Sequence, residues 1–373
     1  MPNHPYGRVY SGYRKKLLRG TYTEMDGEVR VVRVPQVFRP NRGALNRLIM
    51  FSSFTVTAAL RSLALGPFDV IIGTVPQPFS PLAGWLRSFV GRAKFVLEVR
   101  DLWPEGIVAT GQAEVGSFAY RGVDAVVSFL YKRADRIVTV TDGIKNALIE
   151  TRGIDTDRID VVRAGVDVDS MQTDISSYEA KKRLGLEGRF VVTYSGTVGN
   201  AHGLDSMLGV SKLLRQDQPD VMILIVGSGA EEETLRSHFV EYQAHNLQLL
   251  GQKPRAELPA ILAGSDIGLA VLKPSPIFRT VVPTKIYEYM ATGLPVLTNV
   301  AGETENIITE SGAGIAVPNG DDIALAKQIA KLRENPDALK SMSVAGINYA
   351  RESASWVTRA EQYEEVLEKT IQH

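Results

Sequence analysis

Residues 189–204 read RFVVTYSGTVGNAHGL: a short apolar, β-branched run, then a glycine turn, then a stretch able to open a helix. The run is too short for a helix and lacks the alternation of a half-buried strand. It therefore predicts a strand covered on both faces, as in a parallel sheet. Toward the C terminus the pattern returns as VMILIVG (221–227), LQLLG (247–251), IGLAVL (267–272) and LPVLTNV (294–300). Helical stretches fill the gaps at 204–215, 230–242, 257–263, 285–291 and 321–333. Toward the N terminus VRVVRVP (29–35), DVIIGTV (69–75), KFVLEV (94–99), RIVTVT (136–141) and IDVVRA (159–164) form a first series. Two Rossmann-like, doubly wound α/β domains are expected, over 1–165 and 166–350, with ligands at the C-terminal strand ends facing a cleft. Segment 351–373 is expected to end in a helix over 355–369; Trp356, Tyr363, Val366 and Leu367 suit packing on its own domain or back on the first.

The chain has 373 residues, 44% of them apolar, which excludes a disordered protein. It contains no cysteine, so disulfides, thiolate metal sites and thiol nucleophiles are excluded together. The polar start, MPNHPYGRVYSGYRKK, does not read as a signal peptide, and a cytoplasmic protein is expected. Lysine and arginine balance aspartate and glutamate at 42 each, yet residues 1–165 hold 23 basic and 15 acidic residues. Such a half attracts anions, or complements the acidic half that follows. Arg14, Lys15, Lys16 and Arg19 flank two leucines, a pattern for an anionic membrane surface or for a solvated loop. No aromatic platform or helix-turn-helix accompanies the charge, so nucleic acid is not an expected partner.

Three motifs carry chemistry. Gly196, Gly199 and the turn to Leu204 suit backbone approach to a diphosphate, or simply a tight turn. Gly227 and Gly229 begin a dinucleotide fingerprint, but Glu232 stands where its third glycine belongs, and NAD is not expected. Residues 283–296, PTKIYEYMATGLPV, open a helix with Pro-Thr and place Lys285 and Glu288 three apart. A cation in the first turn opposes the helix dipole, so Lys285 suggests a nearby anion; an intrahelical pair with Glu288 is the other reading. The five histidines are scattered, and no metal site is expected.

In order and spacing, GTVGNAHGL, VGSGAE, LLGQKPRAELPAILAGSDIGL, PTKIYEYMATGLPVL and SGAGIAVPNGD resemble the retaining nucleotide-sugar glycosyltransferases of family 4, which have the GT-B fold. VLEVRDLWPEGIVATG (96–111) and residues 136–167 resemble the subgroup building bacterial O-antigen and capsule, including an N-acetyl-L-fucosamine transferase. The resemblance implies a UDP-sugar substrate, no cofactor, and a saccharide or lipid-linked acceptor on the inner face of the plasma membrane. It implies that Glu288 is the second glutamate of an E-x7-E motif and binds the donor ribose. Thr280 stands where the first glutamate belongs, and Thr197 and His202 where relatives carry an Arg and a Lys on the pyrophosphate. Lys285 and Arg279, with amides near Gly196, Gly199 and residues 280–283, are then the expected diphosphate ligands, and Gln252 and Lys253 lie by the base. At the end of KFVLEV, Arg100 and Asp101 occupy the acceptor-side catalytic position, with Glu105 as second choice; capping by Asp101 and core packing by Trp103 are the structural readings.

The family's opening strand, helix and strand have no counterpart before residue 29, so VRVVRVP is expected two strands away from DVIIGTV in the first sheet. The departures also leave open a non-catalytic or degenerate nucleotide-sugar-binding protein, or a UDP-N-acetylhexosamine epimerase.

Overall fold

The computed structural model describes residues 20–39, 44–75, 77–109, 111 and 113–372. They pack as two units: the described residues of Met1–Val162 with Tyr363–His373, and Arg163–Gln362. The basic segment holding Arg14, Lys15, Lys16 and Arg19 lies outside the described residues.

The first unit is built on four parallel strands, β3 (Val70–Val75), β4 (Lys94–Val99), β5 (Arg136–Thr139) and β6 (Ile159–Val161), neighbours in that order. Because the order never reverses, right-handed crossovers put the connecting helices on one face. Helices Ser80–Gly91, Phe118–Arg133 and Asp142–Arg152 enclose Phe95, Leu97, Val99 and Ile137 there. On the other face Val96, Val138 and Val162 meet Tyr363, Val366 and Leu367 of the last helix, Trp356–Gln372.

One sequence expectation fails here. Val29–Arg33 (β2) is not a strand of the parallel sheet; it pairs antiparallel with Tyr22–Asp26 (β1) as a separate two-stranded sheet. The reason is local. Gly27, at φ +57°, starts a two-residue loop that favours a hairpin, and Arg33 pairs with Glu24 across it at 2.7 Å. Val29 is 65% exposed, which a central parallel strand would not allow. The expected two-strand gap therefore does not arise.

The second unit holds β7 (Phe190–Ser195), β8 (Val221–Val226), β9 (Leu247–Gly251), β10 (Ile267–Ala270), β11 (Val296–Thr298) and β12 (Gly314–Ala316), all parallel. Their order is β12-β11-β10-β7-β8-β9, so the winding reverses between β7 and β10. Both faces are consequently covered. Helices Ser206–Asp217 and Asp322–Arg333 pack Met207, Val210, Leu214, Leu325 and Ile329 on one side. Lys285–Ala291 and Pro336–Ser353 pack on the other, through Ile286, Met290 and Ala350. Where the winding reverses, the connections after β7 and β10 part company and leave a crevice at the strand ends, the usual ligand position in open α/β sheets.

Candidate functional site

The crevice of the second unit is floored by two glycine turns. Gly227, at φ +148°, has no room for a side chain: a Cβ would lie 1.7 Å from the Gly196 carbonyl oxygen, and one on Gly229 would lie 2.1 Å from that of Val198. The amide of Gly196 donates to the Val226 carbonyl (2.8 Å), that of Val198 to Ser228 (3.0 Å) and that of Gly227 to Gly251 (2.9 Å). The glycines of VGSGAE thus let the turns after β7 and β8 lie backbone against backbone, which explains why the stretch imitates a dinucleotide fingerprint. The same ladder occupies the Gly196 and Gly227 amides with backbone carbonyls.

Lys285 lies over the first turn. It is 9% exposed, and its Nζ stands 3.4 Å from the centre of the Tyr194 ring. A Cβ on Gly196 would lie 3.0 Å from that nitrogen, a tight contact, and the turn's φ of +140° favours glycine there as well. Among the described residues no carboxylate comes within ion-pair distance of it. Burial lowers its pKa well below the ordinary lysine value, and nearby Glu288 acts in the opposite sense. The intrahelical pair does not form: the Glu288 Oε1 accepts from Arg255 Nη1 at 2.9 Å. The short helix is anchored by Tyr289, whose hydroxyl accepts from the Ser195 amide (2.8 Å) and donates to the Leu269 carbonyl (3.2 Å).

Around this pair the remaining candidates are sorted by their contacts. His202 meets Tyr194 edge-on, with ring centres 5.9 Å apart, and its Nδ1 is buried with no partner among the described residues. Burial first, and then Lys285, push its pKa down to about 4, against a hydrogen bond to the Val271 backbone, so the ring is neutral near pH 7. Because the unfolded chain protonates this histidine near pH 6.5, it should withdraw stability as the pH falls from about 6.5 to about 4. Urea unfolding of wild type and His202→Asn at pH 7 and pH 4.5 checks this; the expected acid loss in the wild type exceeds that of the variant by about 2 kcal/mol. Gln252 accepts from Ser228 Oγ at 3.2 Å, and Lys253 beside it is exposed. Thr280 donates its hydroxyl to the Ile277 carbonyl at 2.8 Å, while the Arg279 side chain is exposed. Thr197 is exposed and its carbonyl accepts from Tyr194 Oη at 2.7 Å.

Sequence reading missed two residues. Arg255, the partner of Glu288, sits in the turn after β9, inside the stretch LLGQKPRAELPAILAGSDIGL, where the resemblance gives it no role. Lys273, after β10, packs on Gly203 and donates to Asn200 Oδ1, which puts a second cation on the Gly199–Gly203 side of the turn. Both come from connections that only the sheet order brings to the crevice.

In the first unit, the chain leaves β4 through Arg100, whose amide donates to the Val75 carbonyl at 3.2 Å. Asp101 follows, exposed and, among the described residues, accepting no hydrogen bond; atoms packed around its carboxyl raise its pKa, against the pull of Arg100. Glu105 differs. It pairs with Arg152 at 3.0 Å, and that guanidinium also binds Asp124. Trp103 packs against the core of the unit. Among the described residues no three His, Asp or Glu side chains gather as a metal site, and no helix is long and apolar enough to cross a membrane.

Comparison with known proteins adds to this geometry. Residues 177–351 match the family profile described as glycosyl transferases group 1, and residues 11–165 match a glycosyl transferase 4-like domain. The chain is 28% identical over 314 residues to the probable glycosyltransferase WbjE of Pseudomonas aeruginosa, covering 80% of this chain and 76% of that one. It is 25% identical over 335 residues to the putative colanic acid biosynthesis glycosyl transferase WcaI of Escherichia coli K12, covering 85% and 77%. Among solved structures it resembles Anabaena HepE in complex with UDP and glucose, with TM-score 0.69, 19% identity, and 90% and 86% of the two chains covered. It also resembles sucrose-phosphate synthase of Thermosynechococcus elongatus, with TM-score 0.77, 16% identity, and 99% and 87% covered.

Proposed function

We propose, from the premise that this chain belongs to the GT-B glycosyltransferases of the family 4 type, that it transfers a hexose or N-acetylamino sugar from a UDP-sugar to a lipid-linked saccharide in surface polysaccharide synthesis. The reading takes the reaction as retaining and metal-independent, and places it at the cytoplasmic face of the membrane. The observation that carries it is Lys285: a buried amine without a carboxylate, held over a glycine turn at the reversal point of the sheet. Burying an unpaired charge is costly, and the arrangement makes sense where an anionic ligand completes it. Neighbours solved with UDP and with UDP-glucose support a uridine diphosphate donor.

In this reading the bond between the anomeric carbon and the diphosphate oxygen breaks, and one to the acceptor hydroxyl oxygen forms. The electron pair leaves with UDP, where Lys285 meets the developing charge; a preorganised cation in a water-poor site stabilises it far more than solvent does. Glu288 accepts from the ribose diol through Oε2, its Oε1 being engaged by Arg255. The acceptor proton passes to the departing phosphate or to Asp101, the strand-end carboxylate.

Incubation with a panel of UDP-sugars, UDP-N-acetyl-L-fucosamine among them, and with membranes carrying lipid-linked acceptor tests the reading. UDP release that requires acceptor, persists in chelator and yields a product with the donor's anomeric configuration is expected. Donor epimerisation without acceptor marks an epimerase, UDP release without acceptor a hydrolase, and binding without turnover the non-catalytic alternative that Thr280, Thr197 and His202 suggest. The two acidic residues of the first unit should then separate. Asp101→Asn is expected to lower kcat about 100-fold with an unchanged melting temperature. Glu105→Gln should leave kcat within about two-fold while weakening the Arg152 pair and costing about 1 kcal/mol in urea.

A further inference from the structure

We propose that Arg255 is a positioning residue that holds Glu288 away from Lys285 and so reserves the Lys285 charge for the diphosphate of the donor. The inference rests on the nucleotide-binding reading above, but part of its test does not. Lys285 and Glu288 stand three residues apart on one helix, the spacing at which opposite charges pair. A buried amine so close to a carboxylate has every electrostatic reason to take it. Instead Glu288 turns to Arg255, which arrives from the turn Arg255–Glu257 after β9, at 2.9 Å.

The exposure of the partners says what this contact is for. The Arg255 side chain is 64% exposed and that of Glu288 15%, so the pair resembles a surface ion pair, worth about 0–1 kcal/mol. Stability does not explain it well. Its larger effect is on charge: Arg255 holds the Glu288 carboxylate out of ion-pair contact with Lys285, on which it acts only from a distance. The groups that face Lys285 confirm how little else is there to match it. β7 contributes the Tyr194 ring beneath the amine, and the turn Asn200–His202 contributes neutral His202. Its own helix contributes Glu288 and Tyr289, whose hydroxyl is engaged by Ser195 and Leu269. β10 and β11 bring no charged side chain, Lys273 is held at Asn200, and helix Pro336–Ser353 brings Tyr349 to Tyr287 instead.

Without Arg255, Glu288 swings one turn along its helix to Lys285, and the amine meets the diphosphate already neutralised. The prediction is therefore a loss larger for UDP than for uridine, because loss of the ribose contact alone would weaken the two alike.

The test compares wild type with Arg255→Ala, Arg255→Lys, Glu288→Gln and Arg255→Ala/Glu288→Gln, measuring UDP and uridine binding by calorimetry. Arg255→Ala should weaken both molecules through the lost ribose contact, and UDP about ten-fold more than uridine. Arg255→Lys should keep the wild-type ratio of the two affinities, and the double variant should match Glu288→Gln, since glutamine cannot neutralise the amine. A second readout needs no nucleotide: the pH dependence of Lys285 acetylation, followed by mass spectrometry. Arg255→Ala should shift its midpoint up by about one unit, and Arg255→Lys should leave it in place. An unshifted midpoint in Arg255→Ala, or equal losses for UDP and uridine, overturns the proposal. If the wild type binds neither molecule, the donor reading fails while the acetylation profile still decides the role of Arg255.

Discussion

Lys285→Met is expected to lower kcat/KM about 1000-fold while leaving the protein at least as stable as the wild type. The size of the first effect follows from the role: removing one preorganised group that meets developing charge costs about 100- to 1000-fold, and Thr197 and neutral His202 offer no substitute. The second effect follows from burial. The amine is 9% exposed without a carboxylate, and its contact with the Tyr194 ring, worth about 2 kcal/mol, does not offset the desolvation of a charge. Methionine fills a similar volume without that penalty, so a gain of about 1 kcal/mol in urea unfolding is expected. The pH dependences run in opposite directions. The unfolded chain keeps the lysine proton to about pH 10.4, whereas the folded protein releases it earlier, so this group stabilises the fold increasingly as the pH rises through that window. Donor affinity falls over the same window, since only the protonated amine attracts a diphosphate. A variant that loses stability and activity together would indicate that Lys285 is a structural residue.

Gly227→Ala should cost about 3–5 kcal/mol and abolish UDP binding together with it. The methyl group would fall 1.7 Å from a backbone carbonyl oxygen, at a φ of +148° that alanine rarely adopts, so no side-chain rotation relieves the clash. The two turns must separate, breaking the Gly196 to Val226 and Val198 to Ser228 hydrogen bonds that floor the crevice. Gly122→Ala is the matched comparison. Gly122 lies inside helix Phe118–Arg133 with nothing within 4 Å of an added Cβ, and there alanine should stabilise by about 0.5–1 kcal/mol. Urea midpoints and UDP affinities of the two variants give the comparison directly; similar values for both would contradict the packing described for the turns.

The strands of the second unit were legible because each is apolar on both faces and closes on a glycine turn, and the short helix Lys285–Ala291 because Pro-Thr and Gly-Pro bracket it. Helix Pro336–Ser353 was not legible. It buries Gly346 and Ala350 against Met290, so small residues rather than large apolar ones mark that contact in the sequence. The hairpin over residues 22–33 was misread because VRVVRVP was taken as a buried run, although Asp26-Gly27 before it is a hairpin signal and its arginines mark an exposed strand.

The site was legible in part for a similar reason. Lys285, Glu288 and the glycine turns belong to contiguous motifs, so their residue types and spacing were visible. What they touch was not, because partners come from separate connections: Arg255 is 33 positions from Glu288, and Tyr194 meets Lys285 only across the reversal of the sheet. The choice between an intrahelical Lys285–Glu288 pair and an anion site depended on the first of those partners. In the first unit, likewise, the resemblance alone ranks Asp101 before Glu105, and a physical difference between them comes only from Arg152 and Asp124 beside Glu105.

Calorimetric titration of UDP into the wild type and Lys285→Met at one pH tests the central claim most directly. Saturable binding at one site in the wild type, weakened at least about 100-fold in the variant, is the predicted result. Equal affinities, or a wild type that binds no UDP, would contradict the account.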